Sequence, residues 1–384
     1  MNPIRKYLNN IKPNFEKGGK LEMFGSTFEG FESFLFVPNT TAKSGAHIHD
    51  AADSKRLISF VIIALVPALL FGMYNIGYQN ALLSGNLSEA TFVGMFVYGF
   101  LQMLPKILVS YIVGLAIEFA WAQWKHEEIQ EGYLATGILI PMIIPVNCPL
   151  WCLALACAFS VIFCKEIFGG TGMNFVNPAL AARAFLFFSY PTVMSGDNCW
   201  VAKDQIFGLG YQVADGTTAA TPLGIVSQDP NYVVDSMNAF IGLIPGSMGE
   251  TSFVAIMIGA LLLIWTGVAS WKIMVSVFVG GGLTAWLFNS LGMTPMCPCD
   301  QFLLGGFAFG AVFMATDPVT AARTECGKWV YGFLIGVVAV MVRVMNPGYP
   351  EGMMLAILLM NVCAPLIDWC VVQRNISKRL NRAK

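Results

Sequence analysis

The sequence predicts an all-α integral membrane protein of about ten transmembrane helices, with broken or re-entrant segments and both termini cytoplasmic. Three observations predict it. Only 12% of the 384 residues are charged, against roughly 25% in a soluble domain, while 56% are hydrophobic. So few charges cannot coat a water-facing surface, and most of the exterior must meet lipid. Apolar runs recur along the chain, several long enough to cross a hydrocarbon core. Finally, the basic residues are sorted. With ten spans and both termini inside, eighteen of the 22 Lys and Arg fall on the cytoplasmic side, and only Lys203 lies clearly outside. Net charge is −1, which gives nucleic acid nothing to bind.

Residues 1–55 form a polar N-terminal segment with Arg5, Lys6, Lys12, Lys17 and Lys20 and no apolar core. It is expected to stay in the cytoplasm rather than serve as a cleaved signal. Residues 56–384 form the polytopic membrane domain. The first span follows Lys55-Arg56 and covers 57–73. A weaker one lies near 103–122, bracketed by Lys106 and Glu118. The uncharged stretch 132–164 is too long for one crossing, and Pro145 and Pro149 split it into two short spans. A further span near 175–192 carries Arg183 at mid-length. A turn-rich, acidic loop at about 193–250 is expected outside the membrane. Uncharged runs at 251–271, 273–299, 301–316, 329–342 and 352–367 complete the set.

Two motifs read as helix starts inside the membrane. In KEIFGGTGMNFVNPALAARAF, residues 165–185, Gly169, Gly170 and Gly172 permit positive φ. Asn177-Pro178 then reads as a helix cap and first helical residue. A helix that begins within a membrane offers unpaired N–H groups and a positive dipole end to a ligand. Arg183 needs a partner at such depth. In GGFAFGAVFMATDPVTAAR, residues 305–323, Asp317-Pro318 repeats the cap-and-proline pattern, and NPALAAR echoes DPVTAAR. Asp317 reads either as a cap at the membrane face or, with Asn177, as one of two helix starts that converge on one planar heterocycle.

Other features weigh less. Asp215 through Leu223 reads physically as a turn, and spacing alone gives no reason to regard Thr221 as modified. Glu118, Glu351 and Asp368 are acids near the membrane that hint at a sodium path; Glu166 belongs with them. His47, His49 and Asp50 sit in a polar stretch and read as solvated. No metal site is assigned. Six of the ten cysteines lie in apolar segments as small hydrophobes, and Cys297-Pro298-Cys299 stands alone beside Asp300.

The motifs SGAHIHDAADSKR, FGMYNIGYQ, KEIFGGTGMNFVNPALAARAFLFFSYP, SGDNCW, IPGSMGE, GGFAFGAVFMATDPV, GKWVYG and NPGYPEGMMLAILLMNVCAPLIDW together cover nearly the whole chain. On them the sequence resembles the B subunit of the sodium-translocating NADH:quinone reductases, multi-pass proteins of the bacterial inner membrane. The resemblance implies ten transmembrane helices and an FMN joined through its phosphate to Thr221, in Thr218-Ala219-Ala220-Thr221. It also implies a non-covalent riboflavin near Asn174, Asn177 and Asp317, and quinone reduction near the N-terminal segment and the loop around Gly132 and Gly137. It implies partner subunits bearing FAD with iron–sulfur centres, a second covalent FMN, and small membrane subunits, with sodium exported. Thr218-Ala219 depart from the common Ser-Gly, and the loop from Trp200 to Asp215 is longer than usual; the accepting threonine is retained. Two alternatives stay open. One is the D subunit of Rnf-type complexes, which typically lacks the polar N-terminal stretch. The other is a cofactor-free channel or transporter, which has no need of the threonine-bearing loop.

Overall fold

The computed structural model describes residues 3–15, 54–125, 132–196, 199–214, 217, 219–229, 231–346, 348 and 351–383, with scattered positions between 19 and 45. His47, His49, Asp50 and Thr218 lie outside the described residues. The architecture is helical, and no strand forms among the described residues. In chain order, α1 is Pro3–Ile11, α2 Ser54–Leu83, α3 Phe92–Lys125, α4 Tyr133–Ile143 and α5 Leu150–Phe159. There follow α6 Pro178–Ser189, α7 Pro191–Met194, α8 Pro222–Gln228, α9 Ser236–Ile241, α10 Phe253–Trp265 and α11 Trp271–Ser290. The last are α12 Asp300–Leu303, α13 Phe307–Phe309, α14 Glu325–Met345 and α15 Met353–Ala383.

Among the described residues, six helical segments are long and apolar enough to cross a membrane: 56–83, 92–125, 150–168, 271–290, 325–345 and 353–382. Three apolar helices are shorter, Tyr133–Ile143, Pro178–Ser189 and Phe253–Trp265. An 11-residue helix rises about 16 Å, half of a hydrocarbon core near 30 Å. The expected split at Pro145 and Pro149 is observed, because α4 ends at Ile143 and Pro149 precedes α5. The run 301–316, expected as one span, is instead broken into α12, α13 and a π-helical turn, Gly310–Met314. Gly305, at φ +61°, interrupts it.

A second π-helical turn, Ser160–Lys165, extends α5. The echoed motifs therefore share a context, since each follows a π turn; such turns are frequent at functional sites. They diverge afterwards. Asn177 caps α6, its Oδ1 accepting from the N–H groups of Ala179 (3.0 Å) and Leu180 (3.3 Å). Asp317, expected to start a helix, caps a single turn through Val319 N–H (3.1 Å). The next helix waits until Glu325. There Thr324 takes over as cap, its Oγ1 accepting from Gly327 N–H at 3.2 Å, while Asp368 binds the N–H groups of Arg323 and Thr324.

Close helix pairing depends on glycine. A Cβ on Gly77 would lie 2.1 Å from Met95 O, and one on Gly99 1.8 Å from Met73 O, so the backbones of α2 and α3 touch. Gly280 and Gly336 bring α11 and α14 together in the same way. One apolar core runs through these helices, with Leu65, Ile140, Leu153, Phe307, Tyr331 and Ile357 almost fully enclosed.

Candidate functional site

The two motif loops meet. Asn177 Nδ2 donates to Asp317 Oδ2 at 3.4 Å, and Thr320 Oγ1 donates to the same carboxylate oxygen at 3.0 Å. Asn174, expected beside them, turns its Nδ2 to Val176 O at 3.2 Å. Before them lies a loop with Gly169, Gly170 and Gly172 at φ of +113°, +87° and +92°, the conformation their sequence anticipates. Asn177, Asp317 and Thr320 thus set amide, carboxylate and hydroxyl groups together beside the first turn of α6, and Asn174 stands in the loop just before it, bonded to Val176 O.

Arg183, on the next turns of α6, finds two partners. Its guanidinium is ion-paired with Glu250 and with Glu351. Glu250 comes from the loop before α10 and Glu351 from the loop before α15, so three distant stretches are tied at one point. The trio borders a cavity of about 10 Å³, room for a single water, otherwise walled by Leu180, Phe309, Met314, Met353 and Ile357 among others. Glu351 is a residue expected from sequence; Glu250 is not. The signal for Glu250 was Arg183 itself, which required an acid somewhere in the chain but could not say which.

Glu118 of α3 is ion-paired with Lys165, and both are buried. The Tyr133 ring lies 6.0 Å from the Lys165 ammonium, and its hydroxyl donates to Ser110 O at 3.0 Å. Glu118 Oε2 is enclosed with no hydrogen-bond partner among the described residues. Gly132 stands under Thr171, whose Oγ1 would lie 2.7 Å from a Cβ there and is itself buried without a described partner. Gly137 makes room for Tyr111, 2.8 Å from its Cβ position. Asp368 is engaged as a cap, accepting from Arg323 N–H (2.8 Å), Thr324 N–H (3.0 Å) and Thr324 Oγ1 (2.6 Å).

Thr221 sits in the long loop, away from these groups. It caps α8, and its Oγ1 accepts from Gly224 N–H at 3.2 Å. Beside it an open groove of about 490 Å³ is lined by Ala219, Ala220, Ile225 and Gln228 of the loop and by Gln79 and Leu83 of α2. Thr221 itself is half-buried, and the small side chains of Ala219 and Ala220 form part of the groove wall. The loop is moored to α2: Asn80 Nδ2 donates to Ala202 O (2.9 Å) and Tyr211 O (2.8 Å), and Asn75 Nδ2 to Ile244 O (2.9 Å). Lys203 Nζ holds Thr217 O at 3.1 Å.

The helices, half-length segments and buried ion pairs define a multi-pass membrane protein whose apolar interior is broken by polar groups at helix ends. Residues 41–377 match the model of the NQR2, RnfD, RnfE family, and the chain belongs to that family. The chain is 44% identical over 407 aligned residues to the B subunit of the Na(+)-translocating NADH-quinone reductase of Chromohalobacter salexigens, covering 99% of this chain and 96% of that protein. It is 44% identical to the B subunit from Stutzerimonas stutzeri and 43% identical to that from Azotobacter vinelandii, each with 99% of both chains covered.

Proposed function

We propose that this chain is the B subunit of a Na⁺-translocating NADH-quinone reductase, a translocase of the bacterial inner membrane that couples NADH oxidation and quinone reduction to sodium export. Near-full-length likeness to proteins of that name carries the reading. The other partners are an FAD and iron–sulfur subunit, a second FMN-bearing subunit and small membrane subunits. Ten passes with both termini cytoplasmic accommodate the six long segments together with α4, α6, α10 and the broken stretch 300–314. The loop 193–250 then lies outside.

Two flavins fit residues of this chain. Thr221 is the attachment point for FMN. Its hydroxyl caps a short helix, flanked by alanines and a groove wide enough for a ring system. Asn174, Asn177 and Asp317 hold riboflavin, offering amide and carboxylate groups to a polar heterocycle. Flavins supply one- and two-electron chemistry when bound. The chain's part is to hold them, orient them and exclude water. Quinone is placed near Gly132 and Gly137, where the Thr171 hydroxyl is available as a donor to a carbonyl oxygen. Glu118 and Glu351 are proposed on the sodium path, since carboxylate oxygen suits a hard cation. Asp368 is proposed there too, although its oxygens already serve three donors.

The test is ultraviolet-excited flavin fluorescence on a denaturing gel, with the chain expressed alongside its partner subunits and flavin transferase. The native chain gives a fluorescent band and Thr221→Ala gives none. A dark native band despite an active transferase would favour a cofactor-free channel. A bright Thr221→Ala band would move the attachment elsewhere.

A further inference from the structure

The Cys297-Pro298-Cys299 motif has no part in the function proposed above. Both cysteines are exposed and neither is in a disulfide. They occupy one turn, in which Asp300 N–H donates to Cys297 O at 3.0 Å, with Cys299 at φ −68° and ψ −38°. Pro298 fixes the backbone between them. A single residue separates the two cysteines, so both side chains leave the same hydrogen-bonded turn; the Cys297 thiol is also the first cause pushing the Cys299 thiol upward, since a thiolate on one disfavours a thiolate on the other.

The turn is held from both sides. Met296, immediately before it, is buried with Leu223 and Val226 of α8, Ala239 of α9 and Leu304. Asn289 Nδ2 donates to Met296 O at 3.1 Å, and Ser236 Oγ to Asp300 Oδ1 at 2.7 Å. Just beyond it, Gln301 O and Leu304 O accept from Arg343 at 2.5 and 2.9 Å. Two exposed thiols are thus presented from a fixed mount, on the same apolar cluster that carries the helix capped by Thr221.

From this geometry we infer that Cys297 and Cys299 are a thiol–disulfide exchange site, closing to an intramolecular disulfide on meeting a small disulfide oxidant. One cysteine thiolate attacks a sulfur of the oxidant, forming a mixed disulfide and releasing one thiol. The second cysteine thiolate then attacks the protein sulfur of that mixed disulfide, releasing the second thiol and closing the ring. Two protein thiols and one oxidant disulfide become one protein disulfide and two small thiols, so atoms and electrons balance. Exposure makes such a bond readily reversible. Two thiols carried on one turn make the second attack intramolecular, and therefore fast.

The test exposes the intact, detergent-solubilised complex to oxidised glutathione. Free thiols are then alkylated, the protein is reduced, and newly freed thiols receive a second, isotopically distinct reagent before mass spectrometry. In the native chain the segment holding both cysteines is lighter by two hydrogens before reduction, carries no glutathione, and takes only the second reagent. In Cys297→Ser and Cys299→Ser the remaining thiol keeps a bound glutathione. Retention of glutathione by the native segment, or first-reagent labelling of both thiols after exposure, overturns the inference.

Discussion

Arg183 is the residue on which three separate stretches of chain depend. An arginine at membrane depth is tolerated only when paired, and here it bridges Glu250 and Glu351. Its removal takes away the guanidinium that bridges two enclosed carboxylates. Arg183→Ala is therefore expected to destabilise the protein by about 3–5 kcal/mol, the usual cost of breaking a buried ion pair from one side. Thermal unfolding of the detergent-solubilised complex measures it. A melting temperature equal to the native value would show that the acids are neutral or hydrated there. Asp317 poses a different case, because its carboxylate organises the turn at Val319 and Thr320 and meets Asn177. On the proposal that riboflavin is held at that point and FMN at Thr221, Asp317→Ala is expected to lower riboflavin content and leave covalent FMN intact. Flavin extraction with and without protein denaturation separates the two, and parallel loss of both would refute the separate placement.

At the scale of the helix, α2 and α3 pack by backbone contact, and this makes their glycines stringent. Gly99→Ala sets a methyl group into the carbonyl of Met73, which cannot rotate away because it belongs to a helix. The two helices must separate, at a cost of about 1–3 kcal/mol. The same substitution at Gly94, where the nearest atom is a threonine hydroxyl at 3.0 Å, is expected to be milder. Parallel melting curves of the two variants give the comparison, and equal shifts would show that the contact relaxes without cost. Lys106 makes a related contribution to α4. Its ammonium reaches the carbonyls of Pro145 and Val146 just past the end of that half-helix. A buried ammonium thus satisfies two carbonyls of the link to α5, while Met142 O, in the last turn of α4, accepts from Gly249 N–H at 2.8 Å, so the short segment can end in a buried place.

For the whole molecule, the ion-paired acids Glu118, Glu250 and Glu351 and the family kinship make one prediction together. Quinone reduction by the assembled complex is stimulated by sodium. Initial rates in carefully sodium-depleted buffer, then with sodium restored, test it, and indifference to sodium would count against the pump. The moored loop gives the same scale a structural counterpart. Asn75 and Asn80 fasten the segment carrying Thr221 to the end of α2, so the threonine is placed by the membrane helices and not by the loop alone.

The class of protein was legible without any contact being known. Scarce charge, long apolar runs and sorted basic residues are statements about solvent, and the bilayer reads them directly. Pro145 and Pro149 announced the break between α4 and α5 for an equally local reason. Thr221 is proposed as an attachment point through family resemblance alone, since its turn looks ordinary. Other features were settled by tertiary structure. That Arg183 chooses Glu250 and Glu351, and that Asn177 touches Asp317 across 140 positions, depends on which loops fold against α6. Asp317-Pro318 carries a helix-start pattern, yet Asp368, 45 residues beyond Arg323, holds the chain ahead of Glu325 and moves the start there. Local patterns fix where a helix can begin, while the partner that satisfies its free N–H groups fixes where it does, and that partner comes from elsewhere in the chain.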